Sequence, residues 1–205
     1  MTRYGMAIDL TRCFGCHTCS VACKSFNNLP NEIWWNRILT VGGEGIDTAE
    51  GTFPNLKMQH LPVNCQHCEN APCVKACPVG ATYQREDGIV IQDYDKCIGC
   101  RMCMVACPYN ARSFNFKKPE YYADHALGDF DAPVHQYNVV EKCTFCVNRV
   151  DRGEVPACMD LCPGRARYWG DLDDPDSEIS KVIKGRNYVK LLEEKGTKPK
   201  VYYLT

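Results

Sequence analysis

Short alternations of apolar and polar residues recur along this chain, and they predict β-strands separated by turns rather than long helices. Three of them stand a few residues ahead of a group of cysteines, and two more follow such groups. This recurrence indicates a structure built by duplication. The strands predicted ahead of cysteine groups are 4–9, 88–92 and 137–140, and those predicted behind them are 111–116 and 165–169.

A hairpin and several short helices complete this pattern. Residues 81–83 and 88–92 flank the turn Arg85-Glu86-Asp87 and predict a β-hairpin. Small or apolar residues separate the last two cysteines of the groups, for example at 74–76 and 104–106, and predict a short helix there.

The C-terminal part of the chain predicts one longer helix and a final strand. Asp176 or Ser177 can cap a helix that runs to about Glu194, with Pro175 just ahead of it and a Lys-Gly pair at its end. Residues 201–204 then predict the last strand. The longest apolar runs fall far short of the roughly 18 to 20 residues that a spanning helix requires, so we expect no direct membrane span.

The N-terminal residues carry no recognisable targeting pattern. Residues 1–10 lack the charged and apolar regions of a signal peptide, and no twin-arginine pair stands near the start. We therefore expect a cytoplasmic protein, or one that reaches the extracytoplasmic face with a partner that carries the signal.

Composition changes the picture because 16 of the 205 residues are cysteine. Hydrophobic residues make up 45%, but that figure includes the cysteines, so the ordinary apolar core is thin. Binding of a metal or metal cluster by the thiols would then supply much of the folding free energy. We therefore expect the apoprotein to be largely unfolded. The net charge of -1 offers no basic excess for binding nucleic acid.

The cysteines fall into four groups of four, each closed by a C-x3-C step. The first and third groups share the spacing C-x2-C-x2-C-x3-C, while the middle gap widens to four residues in the second group and eleven in the fourth. In bacterial ferredoxins three close thiolates hold one 4Fe-4S cluster, and the fourth, followed by proline, ligates its neighbour. Proline follows the closing cysteine at Pro78, Pro108 and Pro163.

Other chemistry fits the spacing less well. Disulfides belong mainly to short secreted chains, and a structural zinc site uses two C-x2-C pairs a dozen or more residues apart. Only the fourth group approaches that zinc layout, and no group has the C-x3-C-x2-C triplet of radical enzymes. Iron–sulfur ligation is therefore the hypothesis that the residues favour.

The groups pair into an α+β fold of two bacterial-ferredoxin-like two-cluster modules. Only 19 residues, the predicted hairpin, separate Cys77 from Cys97, so the second and third groups form one module. By elimination the first and fourth groups form the other, and the modules are nested. A sequential pairing stays open, because the links of 41 and 35 residues between the other groups are long enough. The boundaries are 1–23 plus 137–175 for module A, 60–116 for module B, 24–59 and 117–136 for insertions, and 176–205 for the C-terminal helix and strand.

Histidines and charged residues near the groups have weaker assignments. His17 and His67 lie inside cysteine loops, but each group already has four thiols, so we expect them beside the sites rather than as ligands. Cations near the groups would offset the negative charge of thiolate-bound clusters. These are Arg12, Lys24, Lys75, Lys96, Arg101 and Lys142.

Four strings combine this spacing with characteristic neighbours. They are Cys65-Gln-His-Cys68-Glu-Asn-Ala-Pro-Cys73-Val-Lys-Ala-Cys77-Pro78, Cys107-Pro108-Tyr109, Lys142-Cys143-Thr144-Phe145-Cys146 and Gly170-Asp171-Leu172-Asp173-Asp174-Pro175. Together they resemble the four-cluster iron–sulfur (beta) subunit of DMSO reductase superfamily molybdopterin oxidoreductases, which serves DMSO, polysulfide, thiosulfate, tetrathionate and arsenate reductases. The similarity runs from Tyr4 through the 170s.

The resemblance implies the nested pairing and a full set of cofactor ligands. Because Cys100 is present, it implies four 4Fe-4S clusters rather than a 3Fe-4S cluster in the third group. The ligand sets that it implies are Cys13, Cys16, Cys19 and Cys162; Cys23, Cys143, Cys146 and Cys158; Cys65, Cys68, Cys73 and Cys107; and Cys77, Cys97, Cys100 and Cys103.

The resemblance also implies a non-catalytic electron-transfer subunit of a heteromeric complex. Module A would face a large molybdopterin (Mo or W) catalytic subunit, and module B would face a quinol-oxidising membrane subunit or a soluble donor. Two alternatives share this chemistry: the polyferredoxin subunit of a formate dehydrogenase or hydrogenase, and the small subunit of a non-redox molybdenum enzyme such as an aromatic hydroxyl transferase. A zinc-stabilised interaction module is a third.

Overall fold

The computed structural model describes residues 2–205 and consists of many short elements joined by ordered loops. The strands are β1 (Tyr4–Asp9), β2 (Arg37–Val41), β3 (Glu50–Thr52), β4 (Asn55–Lys57), β5 (Gln59–Val63), β6 (Thr82–Gln84), β7 (Val90–Gln92), β8 (Arg112–Phe114), β9 (Val140–Lys142), β10 (Arg167–Asp171), β11 (Tyr188–Val189) and β12 (Val201–Leu204). The helices are α1 (Thr18–Phe26), α2 (Pro72–Lys75), α3 (Met102–Val105), α4 (Val147–Asp151), α5 (Ala157–Asp160) and α6 (Glu178–Gly185), with a 3-10 turn at Glu193–Lys195.

The largest sheet brings both ends of the described chain together. Its strand order is β10-β1-β12-β11, with β1 antiparallel to β10 and parallel to β12. Met6 lies opposite both Trp169 and Val201. The strand ahead of the first cysteine group therefore pairs with the strand behind the fourth.

The remaining strands form four two-stranded sheets: β2 with β5, β3 with β4, β6 with β7, and β8 with β9. The hairpin β6–β7 joins the second cysteine group to the third, and β8–β9 links the exit of the third group to the entry of the fourth. These connections make the molecule a mixture of short helices and small sheets, as the α+β prediction requires.

Several predicted elements are confirmed, and two are corrected. The strands at 4–9 and 201–204 have the predicted bounds. Short helices are present near 74–76 and 104–106, but α2 and α3 each begin one residue ahead of the third cysteine of their group. The strand predicted at 137–140 is wrong, because Asn138 has a φ of 63° and makes a turn. The strand β9 begins only at Val140.

The C-terminal helix is shorter than its predicted end at Glu194. Ser177 caps it as expected, since its side chain accepts a hydrogen bond from Ser180 N. The helix ends at Gly185 because Arg186 is extended, with φ -141° and ψ 154°, and its guanidinium binds the Asp9 carboxylate. The residues that follow then pair with β12 instead of continuing as helix.

The two predicted insertions differ in secondary structure. Residues 24–59 contain strands β2, β3 and β4, whereas residues 117–136 contain no helix or strand. One core cluster runs through the molecule and includes cysteines from all four groups beside apolar residues such as Ile8, Ile89 and Phe145. No helix within residues 2–205 is both long and apolar enough to cross a membrane.

Candidate iron–sulfur sites

All sixteen cysteines are free thiols, and they lie in short helices and in the loops next to those helices. Gly15 and His17 in the first group, and Gly99 and Arg101 in the third, have positive φ angles. Alternation of left- and right-handed backbone turns successive N–H groups toward one concave side, which suits an anionic cluster. The loop geometry therefore fits the donor chemistry that the spacing predicts.

Site 1 lies between the loop ahead of α1 and the turn after α5. Ala166 N–H donates to Cys162 Sγ at 3.4 Å, and the Gly15 amide donates to Cys13. A Cβ on Gly15 would lie 2.4 Å from the His60 ring, so the close packing requires glycine. Burial raises the pKa of the Cys13 thiol. The cavity of site 1 is lined by Cys13, Cys16, Cys19 and Cys162.

Site 2 is the most deeply buried of the four. Asn27 Nδ2 lies 3.7 Å from both Cys23 Sγ and Cys146 Sγ, and Phe145 N–H donates to Cys143 Sγ at 3.4 Å. Burial raises the pKa of Cys23 strongly, and the three other thiols of the set raise it further. Thiols packed in this way ionise together only beside a compensating positive centre such as iron. Site 2 consists of Cys23, Cys143, Cys146 and Cys158.

Site 3 lies beside α2 and the turn after α3. Burial, and then the nearby Cys65, raises the pKa of Cys68 to about 12, although the Thr197 hydroxyl binds the Cys68 sulfur. The Ala111 amide donates to Cys107. The cavity of site 3 is lined by Cys65, Cys68, Cys73 and Cys107.

Site 4 is the predicted set Cys77, Cys97, Cys100 and Cys103, of which only Cys103 is buried. Thr82 N–H donates to Cys77 Sγ at 3.4 Å, and the Thr82 hydroxyl reaches Cys103, which also neighbours Cys97. Burial alone would raise the pKa of Cys77, but backbone amides, with that of Thr82 foremost, outweigh it and lower the pKa. Cys100 is exposed in the loop between Cys97 and Cys103.

The four sites approach one another through pairs of sulfur atoms. In each pair, one thiol is close enough to raise the pKa of the other by charge repulsion. The pairs are Cys19 with Cys158 between sites 1 and 2, Cys65 with Cys143 between sites 2 and 3, and Cys73 with Cys103 between sites 3 and 4. The sites therefore form a continuous series from 1 to 4.

The two histidines of the cysteine loops lie beside the sites. His67 is fully buried, stacks on Phe145 with ring centroids 3.6 Å apart, and accepts a hydrogen bond from Val90 N–H through Nδ1. Its ring thus fills the junction between sites 2 and 3. His17 lines the cavity of site 1, and its Nε2 lies 3.8 Å from Asp47.

Some of the cations predicted to lie near the cysteine groups are buried and others are at the surface. The sequence analysis also missed two buried arginines. Lys142 is buried and donates to the Cys143 carbonyl, but Lys96 pairs with Asp93 at the surface. Arg112 and Arg167, which the sequence analysis did not single out, lie against cysteine sulfurs. A signal for them existed, because each stands five residues after a closing cysteine.

Comparison with known proteins agrees with this geometry. A family model described as a 4Fe-4S dicluster domain matches residues 56–122 and 130–172, and a 4Fe-4S binding domain matches residues 10–27. The chain is 54% identical over its whole length to a Halobacterium salinarum protein named as a dimethyl sulfoxide reductase iron-sulfur subunit, and covers 79% of it. The protein belongs to this family of iron–sulfur subunits.

Relatives named for other reductases match the chain at lower identity. The arsenate respiratory reductase iron-sulfur subunit of a Shewanella species is 41% identical, with 98% of this chain and 96% of that protein covered. A polysulfide reductase chain of Wolinella succinogenes is 38% identical, with 98% and 93% covered. Like its family, this iron–sulfur subunit transfers electrons through 4Fe-4S clusters and is not the catalytic chain.

Proposed function

We propose that the chain relays electrons through four 4Fe-4S clusters between a molybdopterin (Mo or W) catalytic subunit and a second redox partner. That partner is a quinol-oxidising membrane subunit or a soluble donor. The observation that carries this proposal is the unbroken series of sulfur pairs joining sites 1 to 4. A 4Fe-4S cluster bound at each site supplies a one-electron redox centre.

The proposed ligands are the thiol sets of sites 1 to 4, with the modules nested. Pairing of β1 with β10 supports the union of the first and fourth cysteine groups. Helices α1 and α5, which carry cysteines of those two groups, pack together. Helices α2 and α3 of the second and third groups make the equivalent contact. Module A is thus 1–23 plus 137–175, and module B is 60–116.

The protein's own groups would hold and tune these centres. Amides of Ala166, Phe145 and Thr82 point at cysteine sulfurs. Such hydrogen bonds stabilise the more negative, reduced form of a cluster and raise its reduction potential. Burial of sites 2 and 3 keeps water away from the middle of the series, whereas the exposed Cys16 and Cys100 lie at its two ends.

We assign the face around site 1 to the catalytic subunit and the face around site 4 to the electron donor. Each face has an exposed apolar residue directly after the first cysteine of its loop. Phe14 is 60% exposed and Ile98 is 58% exposed. Exposed apolar residues around a cofactor site are typical of docking surfaces. Arsenate, polysulfide and dimethyl sulfoxide reductases are the classes of enzyme to which the relatives' names point.

Matched surface variants test this assignment. The complex is isolated anaerobically from cells expressing the full chain, and the largest copurifying subunit is identified by mass spectrometry. Phe14→Glu should release the molybdopterin subunit and leave reduction by the external donor intact, and Ile98→Glu should do the reverse. Copurification unaffected by Phe14→Glu, or an unmodified chain holding far fewer than about sixteen irons, would contradict the proposal.

A further inference from the structure

Two buried arginines occupy the same place in the repeated cysteine motif. Arg112 stands five residues after Cys107, Arg167 stands five residues after Cys162, and each begins the strand that leaves its group. The intervening residues share Pro at the first position and a buried Ala at the fourth. The duplicated fold therefore presents one guanidinium at an equivalent point of each proposed module.

Arg167 spans the two sites of module A. Its Nη2 lies 3.5 Å from Cys19 Sγ of site 1, and its Nη1 lies 3.7 Å from Cys158 Sγ of site 2. Met6 Sδ at 3.3 Å and Asn36 Oδ1 at 3.3 Å complete its surroundings. The side chain is buried, so these contacts are shielded from solvent.

Arg112 spans the two sites of module B in the same way. Cys73 and Cys65 of site 3 and Cys103 of site 4 are its closest negative groups when ionised. Its Nη1 donates to Gln92 Oε1 at 3.0 Å and to the Thr82 hydroxyl at 3.4 Å, and the guanidinium also hydrogen-bonds the Cys73 sulfur. Its buried Nε and Nη2 have no nitrogen or oxygen partner within residues 2–205, and Arg112 lines the cavity of site 3.

Within residues 2–205, the hydrogen-bond partners of the two guanidinium groups are amide, hydroxyl and sulfur atoms, and none is a carboxylate. A buried cation without a counter-charge strongly destabilises a protein interior. Thiolate-bound clusters are anionic, and each gains one more negative charge, with no proton required, when it accepts an electron. The clusters therefore supply the negative charge that compensates the burial of Arg112 and Arg167.

We propose that Arg112 and Arg167 are each a positive charge shared by the two clusters of one module, and that each raises the reduction potential of both. This inference rests on the proposed function. Thr82, which stands five residues after Cys77, is the neutral counterpart in module B and hydrogen-bonds the same Gln92 side chain through its hydroxyl. Each module thus has one arginine between its two clusters. In that position the positive charge also weakens the electrostatic repulsion between the two clusters when both are reduced.

Redox titration of the anaerobically isolated full chain, followed by EPR, tests the inference. Arg167→Met should lower two of the four cluster reduction potentials, and Arg112→Met should lower the other two. Each shift should exceed a tenfold change in the equilibrium constant for reduction, which corresponds to 59 mV for one electron. Arg167→Lys and Arg112→Lys keep the charge and should shift the same pairs by less than tenfold. Arg165→Met is the matched control, because Arg165 is exposed two residues away and its loss should change no potential.

Two results would overturn the inference. In the first, the methionine variants retain their iron, but a variant shifts one potential or none, or both variants shift the same potential. In the other, the lysine variants lose iron as the methionine variants do, which would mean that the shape of the guanidinium matters and not its charge. Iron content of the unmodified chain separates these failures from a failure of the proposed function, because only the latter predicts far fewer than about sixteen irons.

Discussion

Iron content of cysteine double variants distinguishes nested from sequential pairing of the cysteine groups. Cys107 closes the third group, yet it lines the same cavity as Cys68 of the second group. If both ligate one cluster, Cys68→Ala and Cys107→Ala damage the same site. In a sequential arrangement, Cys107 would instead belong with the fourth group, and the two changes would damage separate clusters.

The expected magnitude follows from four irons per cluster. Each single variant should fall from about sixteen to about twelve irons, and the double variant should also keep about twelve. Sequential pairing predicts about eight irons in the double variant. Alanine is preferred to serine here because a serine oxygen can replace a thiolate as ligand. The assay is iron and protein quantification on anaerobically purified chain, with EPR to count the remaining centres.

The comparison also holds if loss of one cluster unfolds its whole module. The singles would then retain about eight irons, and nested pairing still predicts no further loss in the double variant. The control combines Cys107→Ala with Cys16→Ala, which lines the cavity of site 1, so its losses should add. A Cys68→Ala, Cys107→Ala double variant that loses clearly more iron than either single would refute the nested arrangement.

Three further predictions concern stability and one exposed ligand. Tyr203 is fully buried and its hydroxyl donates to the Pro62 carbonyl at 2.9 Å. Tyr203→Phe should therefore lower the free energy of unfolding by about 1–3 kcal/mol and speed the denaturant-induced loss of cluster absorbance. The control Tyr202→Phe, on the same strand, should behave as the unmodified chain does. Cys100→Ser should convert or lose one cluster while the other EPR signals persist, and unchanged signals at every centre would count against Cys100 as a ligand. Burial alone would raise the pKa of Asp9, but hydrogen bonds, led by that from Arg186, outweigh burial and lower the pKa. The ionised carboxylate thus stabilises the fold, and the unmodified chain should unfold more slowly than Asp9→Asn at about pH 6. This difference in unfolding rate should shrink as the pH falls below about 4 and the carboxylate becomes protonated.

Local sequence pattern predicts those elements that contain a clear apolar run or a recognisable turn. In β1, residues Gly5 to Asp9 are all buried, and the strand has the predicted bounds. The hairpin β6–β7 also follows from its turn, where Gly88 has a φ of 78° that a side chain would strain. Cysteine spacing identified the four groups of thiols, because cluster ligands lie mostly within a few residues of one another, whereas the complete ligand sets were implied by the family resemblance.

Long-range contacts account for the elements that the sequence did not predict. The pattern after Gly185 is compatible with helix, but pairing of Tyr188 with Leu204 supplies sheet hydrogen bonds that local propensity does not include. The contact of Arg186 with Asp9 joins residues 177 positions apart. Tertiary partners of this kind override a weak helical preference.

The buried arginines were missed for the same reason. Arg167 is an ordinary polar residue in its own sequence window, and its proximity to Cys19 exists only because β10 pairs with β1. Repetition was the one available signal, since the offset from the closing cysteine is the same for Arg112. Comparing the repeats with each other, rather than each with its own neighbours, would have found both.

Folding and electron transfer are coupled most tightly at the junction between sites 2 and 3. There Cys143 neighbours Cys65, and His67 stacks on Phe145 within the common core. A change at this junction removes packing from both modules and also alters the step between the two central clusters, so stability and transfer should fall together. The ends differ, because Cys16 and Cys100 are exposed and contribute little burial.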